Sequence, residues 1–82
     1  MQITVKTSGR IRRFLPEGSA SPCDLEVADG ATAEAVMREL GLPMDDQYLV
    51  MLNGSVLPAA QRSETALSAG DELGLFPPLK GG

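Results

Sequence analysis

The chain has no histidine and no tryptophan, a single cysteine, one tyrosine and two phenylalanines among its 82 residues. Each shortage closes off a class of function. Without histidine the commonest general base and the commonest metal ligand are missing. One cysteine makes neither an intramolecular disulfide nor the multi-thiolate set of a structural zinc site. Stand-alone acid–base catalysis and metal chemistry are therefore poor explanations, and no bound cofactor or metal is expected. Secreted domains of this size generally rely on disulfides to supplement a thin core, so a lone Cys23 points to a reducing, cytoplasmic setting. The segment Met1-Gln-Ile-Thr-Val-Lys6 lacks the basic-then-apolar layout of a signal peptide, and no apolar run approaches the roughly 18 residues of a membrane span. Basic residues are scarce too, 7 against 11 acidic, for a net charge of −4. That balance argues against a nucleic-acid partner, because neutralising phosphates takes an excess of Lys and Arg on one face.

Small size adds a further limit. A 60–150-residue domain buries only about 60–70% of the surface its unfolded chain exposes, which leaves little room for a substrate cleft. One core is expected, with function at its surface. Charge is unevenly spread: Lys6, Arg10, Arg12 and Arg13 precede every acid, and the chain beyond Arg13 holds 3 basic and 11 acidic residues. A partner of that acidic remainder should be basic.

The elements can be read from periodicity. Ile3 and Val5 alternate with Gln2, Thr4 and Lys6, as in a half-buried strand. Ile11, Phe14 and Leu15 fall at i, i+3, i+4, which suits a short helical turn stopped by Pro16. Residues 17–22 read as a loop, and Cys23, Leu25 and Val27 as a second strand. Thr32 is a good N-cap for a helix over 33–40, with Glu34 in the first turn and Ala33, Val36, Met37 and Leu40 on one face. Gly41 and Pro43 end it. The apolar run Tyr48–Leu52 reads as a buried strand entering an Asn53-Gly54 hairpin turn, with Ser55-Val56-Leu57 as its short partner. No clear period appears from Ala59 to Leu67. Ala69-Gly70-Asp71 is a turn, and Glu72–Phe76 a last strand. The expected core comprises Ile3, Val5, Leu25, Val27, Val36, Met37, Leu40, Leu49, Met51 and Leu73, in a mixed sheet with one helix across it.

The six residues Pro77-Pro78-Leu79-Lys80-Gly81-Gly82 carry the most information. Two prolines fix φ near −65° and favour an extended path, so the tail reaches on the order of 18–20 Å beyond the last strand. Gly81 and Gly82 have no side chains, which suits a carboxylate threaded through a channel too narrow for a Cβ. Such a tail presents a carboxylate to a partner's active site.

Taken together, Ile3-Thr4-Val5, Asp29-Gly30-Ala31-Thr32, Val50-Met51-Leu52-Asn53-Gly54, Leu67-Ser68-Ala69-Gly70-Asp71-Glu72-Leu73 and the ending Phe76-Pro77-Pro78-Leu79-Lys80-Gly81-Gly82 resemble the MoaD/ThiS family of ubiquitin-like sulfur-carrier proteins. Phe76-Pro77-Pro78 is more similar to the molybdopterin branch than to the thiamin branch. The resemblance implies an α+β, ubiquitin-like β-grasp fold over residues 1–76 and a flexible C-terminal tail over 77–82. It also implies chemistry at Gly82. An E1-like adenylating enzyme of the MoeB/ThiF type, using ATP and magnesium, would activate the carboxylate. A sulfur donor of the cysteine desulfurase or rhodanese type would convert the adenylate to a thiocarboxylate. A sulfur-accepting enzyme such as the molybdopterin synthase large subunit would receive the sulfur. Activation is needed because a carboxylate is a poor electrophile, whereas its mixed anhydride with AMP carries a good leaving group. On this resemblance Leu79, Lys80 and Gly81 thread the partner's channel, and Phe76, Pro77 and Pro78 bind the partner. Any enzymatic activity would be that of a small subunit, since the chain has no catalytic side chains of its own.

Two positions depart from the family's usual pattern. Gly74 replaces a more usual apolar or β-branched residue, and marks either a bulge or room for a close approach. Lys80 stands where a small or uncharged residue is more usual. Elsewhere the plain readings prevail: Cys23 as a packing residue, Arg10, Arg12 and Arg13 as a solvated turn, and Asp45-Asp46 as a loop rather than a metal site. Phe76 reads equally well as an exposed anchor or as buried under the last strand. The functional classes are a sulfur carrier, for molybdopterin or for thiamin, cysteine or thio-metabolite synthesis; a ubiquitin-like modifier joined through Gly82 to lysines; and an unreactive interaction module.

Overall fold

The computed structural model of the chain describes residues 1–15, 21–42 and 48–77. Its elements are β1 (Gln2–Thr7), a 3₁₀ helix (Gly9–Phe14), β2 (Cys23–Glu26), α1 (Ala33–Glu39), β3 (Leu49–Leu52), β4 (Ser55–Val56), a second 3₁₀ helix (Ala59–Gln61) and β5 (Glu72–Phe76). The five strands form one sheet in the order β2-β1-β5-β3-β4. Two antiparallel hairpins, β1–β2 and β3–β4, are joined by β5, which runs parallel to β1 and antiparallel to β3. The last strand is therefore central in the sheet.

Alternation does what the sequence implies in β1: Ile3, Val5 and Thr7 are buried while Gln2 and Lys6 are exposed. Thr32 caps α1, its side chain accepting a hydrogen bond from the Ala35 amide at 3.2 Å, and Gly41 with φ +83 ends it. Glu34 in the first turn pairs with Arg38 at 3.0 Å and complements the helix dipole. Asn53 (φ 51) and Gly54 (φ 84) both lie in the left-handed region that the tight hairpin turn requires.

One hydrophobic cluster fills the inner side of the sheet, with Ile3, Val5, Val50, Leu73 and Leu75 from the strands and Ala33, Val36 and Met37 from α1. Each fully buried Leu or Val contributes about 1.5–3 kcal/mol through apolar burial. Ile11 of the short 3₁₀ helix after β1 and Leu15 just beyond it, both buried, close one end. Leu57 and Leu67 return to the core from the irregular stretch between β4 and β5.

One expectation needs correction, and one of two alternatives falls away. Leu49 and Met51 are half-buried on the outer side, and the inward residue of β3 is Val50. The pairing Val50↔Leu75 and Met51↔Gly74 decides this, and a nearly continuous apolar run contains no phase that could. Nor is there a bulge at Gly74, which keeps register with Lys6 on one side and Met51 on the other. The Asp45-Asp46 pair and the residues from Pro78 to Gly82 lie outside the described residues. Among the described residues no helix is long and apolar enough to cross a membrane.

Candidate functional site: the outer face of the sheet

A strand whose inner side chains are buried must turn the alternate set outward. Across four strands this produces one row, Lys6, Gly74, Met51 and Val56, in register from β1 through β5 and β3 to β4. Beside it Phe76 lies opposite Leu49, and Thr4 lies opposite Glu72. Val56 is 62% exposed, the one large apolar side chain so exposed among the described residues. Lys6, Met51, Gly54, Glu72, Gly74 and Phe76 line a shallow hollow of about 110 Å³.

The face is divided by polarity. Toward β3 and β4 it offers Leu49, Met51, Val56 and Phe76. Toward β2 it offers Asp24 and Glu26, exposed on the edge strand, and Glu72. Lys6 stands between the halves, its Nζ 3.5 Å from the Glu72 carboxylate with both side chains nearly half exposed. Such a pair contributes at most about 1 kcal/mol, and its alkyl stem borders the hollow.

The geometry of this face is fixed from one edge by a polar knot. The Asn53 side chain donates to Asp71 Oδ1 at 3.1 Å and accepts from the Glu72 amide at 2.9 Å, while its own amide donates to the Glu72 carbonyl at 2.8 Å. Asp71 Oδ2 also accepts from the Ser68 amide at 2.8 Å. The hairpin turn and the turn before β5, each a weak signal alone, thus meet and set where β5 begins. β5 ends at Phe76, so the tail starts from the middle of the sheet beside the apolar half of the outer face.

Of the residues expected at the site, Phe76 and Pro77 are described and are half-buried. Phe76 is neither a projecting anchor nor a core residue: its ring lies back over Gly74 on the outer face. Leu79, Lys80, Gly81 and Gly82, like Pro78, fall outside the described residues. Cys23 is half-buried against the core, as its alternation with Leu25 suggests. Arg13 is exposed, with its guanidinium 5.4 Å from the Phe14 ring centre. No group of three or more His, Cys, Asp or Glu side chains suited to a metal occurs among the described residues. Sequence reading missed Met51 and Val56 as surface groups. The two-residue turn places Val56 opposite Met51, so its exposure follows only once the pairing with β5 has turned Met51 outward.

A five-stranded mixed sheet with a central parallel pair, one helix on its inner side and a tail leaving its middle strand is the architecture of a ubiquitin-like β-grasp protein. The chain belongs to the ThiS family, whose model matches residues 17–82. It is 40% identical over 58 residues, 66% of this chain and 72% of the relative, to the molybdopterin synthase sulfur carrier subunit of Haemophilus influenzae. The fold superposes on crystalline SAMP1 of Haloferax volcanii with a TM-score of 0.70, 25% identity and full coverage of both chains. It also matches, with a TM-score of 0.61, 21% identity and full coverage of both chains, a chain of the complex of subunits 1 and 2 of molybdopterin-converting factor from Helicobacter pylori. The chain is thus a MoaD/ThiS-like, ubiquitin-like protein of the sulfur-carrier class.

Proposed function

We propose that this protein carries sulfur for molybdopterin synthesis as a thiocarboxylate on Gly82. An E1-like enzyme joins the Gly82 carboxylate to AMP with loss of pyrophosphate from ATP, magnesium assisting. Persulfide sulfur on the donor then displaces AMP to form an acyl disulfide, which a second thiol cleaves to leave the thiocarboxylate; at a large synthase subunit its sulfur passes to a pterin precursor, and water returns Gly82 to the carboxylate. The observation that carries this reading is the family match extending through residue 82, supported by the 40% identity to a molybdopterin synthase sulfur carrier subunit. The divided outer face suits the docking role. An apolar surface beside the root of the tail, flanked by Asp24, Glu26 and Glu72, fits a partner with an apolar patch bordered by basic side chains. Catalytic groups then belong to the partners, consistent with a chain without histidine.

A second reading is a modifier, favoured by the likeness to SAMP1, a protein also described as small archaeal modifier protein 1. Activation is the same; a lysine amine replaces the sulfur donor as acceptor. Intact-mass analysis of the protein from its native host separates the two. A fraction with one oxygen replaced by sulfur, abolished by deleting Gly82, supports the carrier. Gly82 found solely in isopeptide bonds supports the modifier. Gly81→Ala and Gly82→Ala should block activation and leave the thermal midpoint nearly unchanged, since a tail outside the core contributes little to stability. Substantial unfolding by either change would show a packed tail and overturn this picture.

A further inference from the structure

Beyond Gly9 of the first 3₁₀ helix, the five glycines of the described residues divide into two kinds. Gly30, Gly41, Gly54 and Gly70 have φ between +80 and +85 and open space where a Cβ would stand, so the backbone explains each of them. Gly74 has no positive φ and sits in unbroken register at the centre of the sheet. Glycine weakens a strand interior, and no turn or bulge here calls for it. What the missing side chain leaves room for is an aromatic ring. A Cβ on Gly74 would lie 2.6 Å from Phe76 Cε2, 3.1 Å from Phe76 Cζ and 3.5 Å from Met51 Cβ.

We propose that Gly74 is a positioning residue, a seat that holds the Phe76 ring down on the sheet so that Phe76, Met51 and Val56 form one continuous docking surface at the root of the tail. The atoms in the way of a Cβ belong to the far end of the Phe76 side chain, which turns about two bonds. The sheet around Gly74 is held by paired strands on both sides. A side chain at residue 74 therefore lifts the ring and leaves the backbone in place. Residue 74 and residue 76 share one face two positions apart, so this is an aromatic side chain covering a glycine within its own strand. With the ring seated, the hollow between Lys6, Met51 and Glu72 has an aromatic wall and a backbone floor. With the ring lifted, the wall is gone and the apolar surface divides. The occupant is the adenylating enzyme, with an apolar patch bordered by basic side chains to match Asp24, Glu26 and Glu72; that assignment rests on the sulfur-carrier reading above, and the seat itself does not.

Gly74→Val tests the seat, with Gly74→Ala as the milder step. In the natural chain, NMR should show contacts from the Phe76 ring protons to the Gly74 Hα and to the Met51 side chain. The Gly74 Hα resonances should also carry a ring-current shift that disappears in Phe76→Ala. Gly74→Val should lose the ring contacts to Met51 and keep or raise the thermal midpoint, because valine favours strands. In ATP–pyrophosphate exchange with the purified host adenylating enzyme, kcat/KM should fall about tenfold, mostly through KM, as for a centrally placed interface group. Gly74→Ala should fall between. In a Phe76→Ala background, Gly74→Val should cause no additional loss, because the two changes act through one ring. Ring contacts to Met51 that persist in Gly74→Val overturn the proposal, as does an equal loss of exchange with and without Phe76. If the natural chain supports no exchange while the ring contacts behave as expected, the seat stands and the carrier reading falls.

Discussion

Leu73 and Leu75 of β5 face one side of the sheet and are fully buried, whereas Glu72 and Phe76 of the same strand face the other and stay half exposed. Five consecutive residues thus supply both the centre of the core and the middle of a surface. The two sides answer to different constraints. Inside, branched aliphatic side chains fill space against α1, and any loss of volume leaves a cavity. Outside, volume is deliberately uneven: a glycine lies under a phenylalanine, with a hydrated ion pair on one flank and an exposed valine on the other. Stability resides in the first set and the proposed docking surface in the second, although the strand that carries both ends where the tail begins.

The contrast is open to test from its strongest side. Leu75→Ala, which hollows the core behind the outer face, should cost about 2–5 kcal/mol, read from urea unfolding. In such a small domain that is a large share of total stability. A cost under about 1 kcal/mol would show that the inner face collapses around the change. Val56→Asp, on the outer face, should alter stability by no more than about 0.5 kcal/mol. It should nevertheless weaken productive docking with the adenylating enzyme several-fold, since a carboxylate would replace the exposed apolar group. Unchanged exchange kinetics would remove β4 from the docking surface.

The smallest effect concerns the amino group at the start of β1. The Met1 ammonium donates to the Val27 carbonyl at 2.7 Å and lies 3.2 Å from Asp29 and 3.4 Å from Glu26. Its pKa is raised above 8.0, first by the hydrogen bond with Asp29; burial opposes this, and the charges of Glu26 and Asp29 and the Glu26 hydrogen bond raise it further. A group whose pKa is raised on folding adds stability that is complete below its unfolded pKa and lost as pH rises through the folded value. The thermal midpoint of the 82-residue chain should therefore fall slightly as pH rises above 8.0, and Asp29→Asn should flatten that slope. An unaltered slope in Asp29→Asn would assign it to other groups.

Much of the fold is legible in the chain because the signals are local. Thr32 followed by an i, i+3, i+4 face makes a capped helix wherever it lies, and Asn53-Gly54 makes a tight hairpin turn because both residues tolerate positive φ. The phase of Leu49–Leu52 was not legible, since four apolar residues in a row offer either set to the core. Nor could the meeting of Asn53 with Asp71 be foreseen, because the two are 18 residues apart and each turn is complete without the other.

The site divides along the same line. Sequence by itself determined the helix, the turns and the scarcity of histidine and cysteine, all of which depend on residue chemistry and short spacing. Tertiary structure alone decided which side of β3 faces outward, that Gly74 is a seat rather than a bulge, and that Phe76 lies back on the sheet. Those outcomes depend on the pairing of strands distant in sequence: Val50 opposite Leu75 and Met51 opposite Gly74 fix which side chains share a face, and only then is there an open space for the ring to occupy.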